Sequence, residues 1–175
     1  MMTTIEQSLG NGRELHENGR DPGTSLHGLG PVAVSGYDVH EVWYRLLPLR
    51  PWSSLAVVSP ERTPKTLQLA RSLAELGTQV GRHPVELVDG TQVDLERANS
   101  IARLIEPART LAPVAPRFIV ALDSPIASPV AIAVIAASDA VLLLLERGVS
   151  GIAQARRLVG IVGRERLIGA VLDVG

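Results

Sequence analysis

Residues 118–145 read FIVALDSPIASPVAIAVIAASDAVLLLL. Phe118 to Leu122 is apolar at every position, and Asp123, Ser124 and Pro125 break the run. Val130 to Ala137 reads as a small-residue helix, and Val141 to Leu145 is apolar throughout again. A strand with one wet face alternates apolar and polar residues, whereas a strand apolar at every position is covered on both faces. Two such strands joined by a helix form a parallel unit, because the helical crossover returns the chain to the same end of the sheet. The pattern extends in both directions. Downstream, Ile152 to Val162 reads as a helix and Leu167 to Leu172 as a strand. Upstream, Asp94 caps a helix that faces inward with Leu95, Ala98, Ile101, Ala102 and Ile105, and Val85 to Val88 precedes it as a strand. Before that, Leu55 to Ser59 is a strand. Thr63 as cap and Pro64 as first helical residue open a helix with Leu67, Ala70, Leu73 and Ala74 on one face, and Gly77 is expected to stop it. Five strands alternating with helices predict an α/β fold: a doubly wound, mainly parallel five-stranded sheet sandwiched by helices.

Composition bounds the remainder. The chain has 175 residues, 46% of them hydrophobic and only 3% aromatic, so its core is built from Leu, Val, Ile and Ala. Seventeen basic against eighteen acidic residues leave a formal charge of −1, which argues against nucleic-acid binding driven by bulk charge. Without cysteine there is no disulfide framework, thiolate metal site or cysteine nucleophile. The start lacks the basic-then-apolar order of a secretory signal. The longest apolar stretch, Val130 to Leu145, contains Ser138 and Asp139 and falls short of the roughly 18 to 20 residues that span a bilayer. A cytoplasmic protein is expected, at most peripheral to the membrane through a partner. Residues 1–36, rich in Gly, Asn, Asp, Ser and His, read as a flexible N-terminal arm, and 37–175 as the α/β domain. Within it, Tyr37 to Leu49 carries Val39, Val42, Trp43 and Leu46 near helical spacing until Pro48 and Pro51.

In an open parallel sheet, ligands bind beyond the carboxyl ends of the strands. The residues expected there are Lys65 and Thr66 after the first strand, Asp89 after the second and Asp123 after the third. Glu146 follows the fourth and Asp173 ends the fifth. A lysine for phosphate charge, a hydroxyl for metal and carboxylates for metal or water form the inventory of a phosphate and magnesium site.

Several segments match a known family in order. Ser59 to Thr66 stands in the place of a Walker A loop, Val85-Glu-Leu-Val-Asp89 in that of an apolar strand ending in Asp, and Ile119-Val-Ala-Leu-Asp123-Ser-Pro125 in that of Walker B. Ser138-Asp139 with the following leucines, and Ile168 to Asp173, match the next two strands. From about residue 38 onward the chain therefore resembles P-loop ATPases of the chromosome-partitioning and division-site class. Within that class it looks most like the cytoplasmic domains of bacterial polysaccharide-biosynthesis tyrosine kinases. The resemblance implies a P-loop NTPase-like fold, with Ser59, Lys65 and Thr66 as the phosphate site. It implies Asp89 and Asp123 as catalytic carboxylates, and Thr66, Asp89 and Asp123 as the ligands of Mg²⁺. Two departures stand out. Pro64, before Lys65, removes an N–H and fixes φ where the pattern has glycine, and Arg62 replaces another glycine. The family's C-terminal tyrosine cluster is also absent, since the only tyrosines are Tyr37 and Tyr44.

The expectation is therefore a pseudo-ATPase or pseudo-kinase with a vestigial phosphate site and no cofactor. It would act as a docking or regulatory subunit in exopolysaccharide or capsule synthesis, on a membrane polysaccharide co-polymerase or a sister ATPase. One alternative is an active kinase or ATPase that binds ATP and Mg²⁺ with a rearranged loop; another is a partitioning-type relative that positions cargo. Glu41, Arg45 and Arg50 echo a ring-assembly motif, so a homo-oligomer is possible. Trp43, Tyr44 and Trp52 read as helix-to-sheet contacts or a docking surface. Arg156, Arg157, Arg164 and Arg166 read as a solvated face or a patch for an acidic partner. His16, His27, His40 and His83 lack metal spacing, and Gly148-Val-Ser150-Gly151 lacks nucleophile-elbow spacing. Asp139 reads as a turn cap and Asp173 as a strand terminus.

Overall fold

The computed structural model describes residues 31–34, 38–49, 51–81, 83–109 and 116–174. All five expected strands form: β2 (Ser54–Val58), β3 (Val85–Gly90), β4 (Arg117–Leu122), β5 (Ala140–Glu146) and β6 (Leu167–Asp173). A sixth strand, β1 (Pro31–Val34), comes from the segment read as a flexible arm. It pairs with β6 in parallel, Pro31 opposite Ala170 and Val34 opposite Asp173. Its four residues are too few to show a period, and only the waiting edge of β6 gives them a partner. Residues 1–30 and 35–37, which include His16, His27 and Tyr37, lie outside the described residues. The sheet order is β1-β6-β5-β2-β4-β3, and every neighbouring pair is parallel.

The helices are α1 (Val39–Leu46), α2 (Lys65–Val80), α3 (Leu95–Ile105), α4 (Ala131–Ala137) and α5 (Ile152–Val162). They divide between the two faces. Leu69, Leu73 and Leu76 of α2 pack with Val42, Trp43 and Leu46 of α1 against Leu55, Val57, Ile119 and Leu142. On the other face Ile101, Ile105, Val134, Ile135 and Leu158, from α3, α4 and α5, cover Val58, Val120, Val141 and Leu143. Alternate residues of β2 thus serve opposite cores, which explains why that strand is apolar at every position. Right-handed crossovers dictate the division, since the chain moves one way across the sheet through α2 and the other way through α3, α4 and α5.

Gly77 does not stop α2, which continues to Val80. A Cβ there would fall inside contact distance of Trp43 Cη2 and Cζ3 and 2.8 Å from Val85 Cγ2. The glycine serves close approach of α1 to α2 rather than termination. No helix among the described residues is long and apolar enough to cross a membrane.

Candidate functional site

Strand β2 lies between β5 and β4, and the helices after β2 and β4 leave toward opposite faces. This is the switch point where open α/β sheets bind ligands, and the segment Ser59 to Pro64 fills it. Its neighbours tie it down. Ser124, after β4, donates its hydroxyl to the Pro60 carbonyl. Ser150, after β5, donates to Glu61 Oε2 at 2.7 Å while accepting from the Glu146 N–H at 3.0 Å. Ser59 is fully buried, and its Oγ accepts from the Glu61 N–H at 3.4 Å.

The helix start follows local chemistry. Thr63 Oγ1 accepts from the Lys65 N–H at 3.3 Å, but α2 starts one residue later than expected, with Pro64 (φ −68°, ψ −13°) as its N-cap and Lys65 as its first residue. Thr66 donates its hydroxyl to the Thr63 carbonyl at 3.1 Å and is 2% exposed. The hydroxyl expected on a metal is thus committed to its own first turn.

Lys65 turns toward β5 and β6. Its Nζ donates to Asp173 Oδ2 at 2.6 Å and pairs with Glu146 Oε2 at 2.8 Å. The two carboxylate side chains are 8% and 10% exposed respectively. The Asp173 hydrogen bond, followed by that of Glu146, pushes the Lys65 amino group above the ordinary lysine value. Lys65 is therefore not the exposed lysine of a bare helix start. Asp173, read as a strand terminus, is its partner.

The other two carboxylates lie across β2, at the ends of β4 and β3. Asp89 Oδ1 accepts from the Thr91 N–H at 2.9 Å and the Thr91 hydroxyl at 2.6 Å. Asp123 Oδ2 accepts from the Gln92 N–H at 2.8 Å, with Gln92 held at φ 53°. Beside them opens a cavity of about 590 Å³, lined by Arg62, Thr63, Leu67, Val93, Asp123 and Ser128 among others. The expected residues thus share one end of the sheet but divide into two groups on either side of β2. As arranged they do not fit ATP and Mg²⁺. Pro64 offers no amide, the Thr66 hydroxyl is turned away and buried, and the Lys65 charge is met by carboxylates. No group of three carboxylates or imidazoles suited to a metal occurs among the described residues.

Glu146 was visible only as the polar end of an apolar strand, and its pairing with Lys65 depends on β5 lying next to β2. Asp139, read as a turn cap, instead reaches across to the start of β2: its Oδ2 accepts from the Ser53 and Ser54 N–H groups at 2.9 and 3.1 Å. The aromatic group is mostly core. Trp43 and Trp52 are buried in a T-shaped pair with centroids 6.0 Å apart, and Arg117 Cζ lies 5.0 Å from the Trp52 ring centroid. Only Tyr44, 59% exposed, is left for docking. Glu41 and Arg45 pair along α1, and Arg50 lies outside the described residues. No family model matches the chain, and no curated protein matches it.

Proposed function

We propose that the protein is a nucleotide-independent docking or regulatory subunit, a pseudo-ATPase or pseudo-kinase serving exopolysaccharide or capsule synthesis. The observation that carries this reading is the Lys65 ion pair. Two carboxylates of the chain's own, Glu146 and Asp173, meet the charge that a phosphate would need. An incoming anion would have to displace both while bringing its own charge beside theirs, which low local dielectric makes costly. Pro64 and the inward Thr66 hydroxyl support the same conclusion. The pathway, and a membrane co-polymerase or sister ATPase as partner, rest on the family resemblance. Tyr44, Leu47 and Val80, exposed around a cavity of about 320 Å³ at the α1–α2 junction, are the surface offered to such a partner.

Calorimetric titration with ATP and ADP, with and without magnesium, tests the reading. No binding at micromolar concentrations is expected. A micromolar, magnesium-dependent isotherm abolished by Lys65→Ala would overturn it. That outcome would favour the second reading, an active ATP- and Mg²⁺-binding enzyme, for which the cavity beside Asp123 is the one supporting feature.

A further inference from the structure

Helix α5 and the loop before it carry charge of one sign. From Arg147 to Arg164 the chain has four arginines, Arg147, Arg156, Arg157 and Arg164, and no acidic residue, although the formal charge of the whole is −1. All four are exposed, and none of their guanidinium groups has a hydrogen-bond or ion-pair partner among the described residues. Nearby Arg166 differs, since it pairs with Glu165 at 3.0 Å. At about 100° per residue, Ile152, Ala153, Arg156, Arg157 and Gly160 share the outward side of α5, opposite the buried Leu158 and Val162. Apolar side chains stand beside the arginines. Ile152 is 72% exposed, the highest value among the large hydrophobic residues described, and Val149 is 58% exposed in the loop before it.

Guanidinium groups favour phosphate oxygens, with which they form paired, charge-assisted hydrogen bonds. A nucleic acid backbone would satisfy the arginines but leave Val149 and Ile152 in water. A bilayer satisfies both, with anionic headgroups for the arginines and the acyl boundary just beneath for the apolar tips. We propose that the outer face of α5, with the loop from Arg147 to Ile152, docks directly on a membrane surface rich in anionic phospholipid. This goes beyond the nucleotide-independent reading and does not depend on it, because the ion pairs of Lys65 are made by Glu146 and Asp173 and not by these residues.

Co-sedimentation of the full chain with vesicles tests it, using phosphatidylcholine alone against equal parts phosphatidylcholine and phosphatidylglycerol. Pelleting with the anionic vesicles only is expected, weakening as salt is raised. The double variant Arg156→Glu/Arg157→Glu lowers the partition coefficient about tenfold or more, and Ile152→Asp lowers the binding that survives raised salt. Arg71→Glu, exposed on α2 across the sheet, leaves partitioning unchanged. Circular dichroism confirms that each variant is folded. No pelleting with anionic vesicles would overturn the proposal, as would pelleting that the double arginine variant leaves intact. Retention on heparin without vesicle binding would also overturn it, in favour of a soluble polyanion.

Discussion

Lys65 Nζ lies 2.6 Å from Asp173 Oδ2, which fastens the first turn of α2 to the end of a strand 108 residues further along the chain. With Glu146 the contact joins α2, β5 and β6 at the carboxyl ends of the strands. Lys65→Met leaves two largely buried carboxylates without their cation and is expected to lower stability. Adding Glu146→Gln and Asp173→Asn to that variant should recover most of the loss. Urea midpoints of the three proteins decide it, and an unchanged midpoint for Lys65→Met would show that the ion pairs contribute nothing.

The same contact has a pH signature. The folded protein holds the Lys65 proton more tightly than the unfolded chain does. Its stabilisation is therefore complete below the ordinary lysine value of about 10.4 and is lost as pH rises through the higher folded value. The stability difference between wild type and Lys65→Met should stay flat from neutral pH to about 10 and shrink only above it. A difference already shrinking near about pH 8 would contradict the raised value.

Ser150 and Glu61 give a local test. Removing the hydroxyl with Ser150→Ala strips Glu61 Oε2 of its donor, and Oε1 is already buried without a partner. A buried acceptor left unsatisfied costs about 1–3 kcal/mol. Much of that should appear as faster amide exchange in residues 59–64 rather than in the strands. Uniform acceleration throughout the sheet would instead mean that the loop unfolds only with the whole domain.

Gly77 sets two effects against each other. Alanine in a helix interior is favoured over glycine by about 1 kcal/mol, yet its methyl would collide with the Trp43 ring and Val85. Overpacking a filled core costs about 1–3 kcal/mol, and Trp43 is 1% exposed. Gly77→Ala should therefore lower the thermal midpoint. A raised midpoint would show that propensity outweighs the collision and that α1 can shift away.

The layers of the fold were legible because apolar runs such as Phe118 to Leu122 and Val141 to Leu145 have only one physical use. The edge strand β1 was not, since four residues carry no period and its partner lies at the far end of the chain. The site was half legible. Lys65, Thr66 and Asp123 do lie beyond the carboxyl ends of their strands, whereas Asp89 is still inside β3, which runs on to Gly90. Their grouping depends on strand order, which spacing does not encode: Lys65 turned toward Glu146 and Asp173, and Asp123 joined the Gln92 turn. The two tryptophans were ambiguous for a related reason, because a short amphipathic helix does not announce how close its neighbour comes.

The pairing of Pro31–Val34 with Ala170–Asp173 also orders events during synthesis. This segment leaves the ribosome early, while the strand that receives it is among the last parts of the domain to appear. At ordinary elongation rates the interval is on the order of ten seconds. Throughout it the exposed side of β6 does not yet exist, and the early segment has no partner in its own chain. The last step of assembly is therefore the capture of an early-made strand by a late-made edge. Nascent chains crowded on one message would have that interval in which to exchange strands with their neighbours.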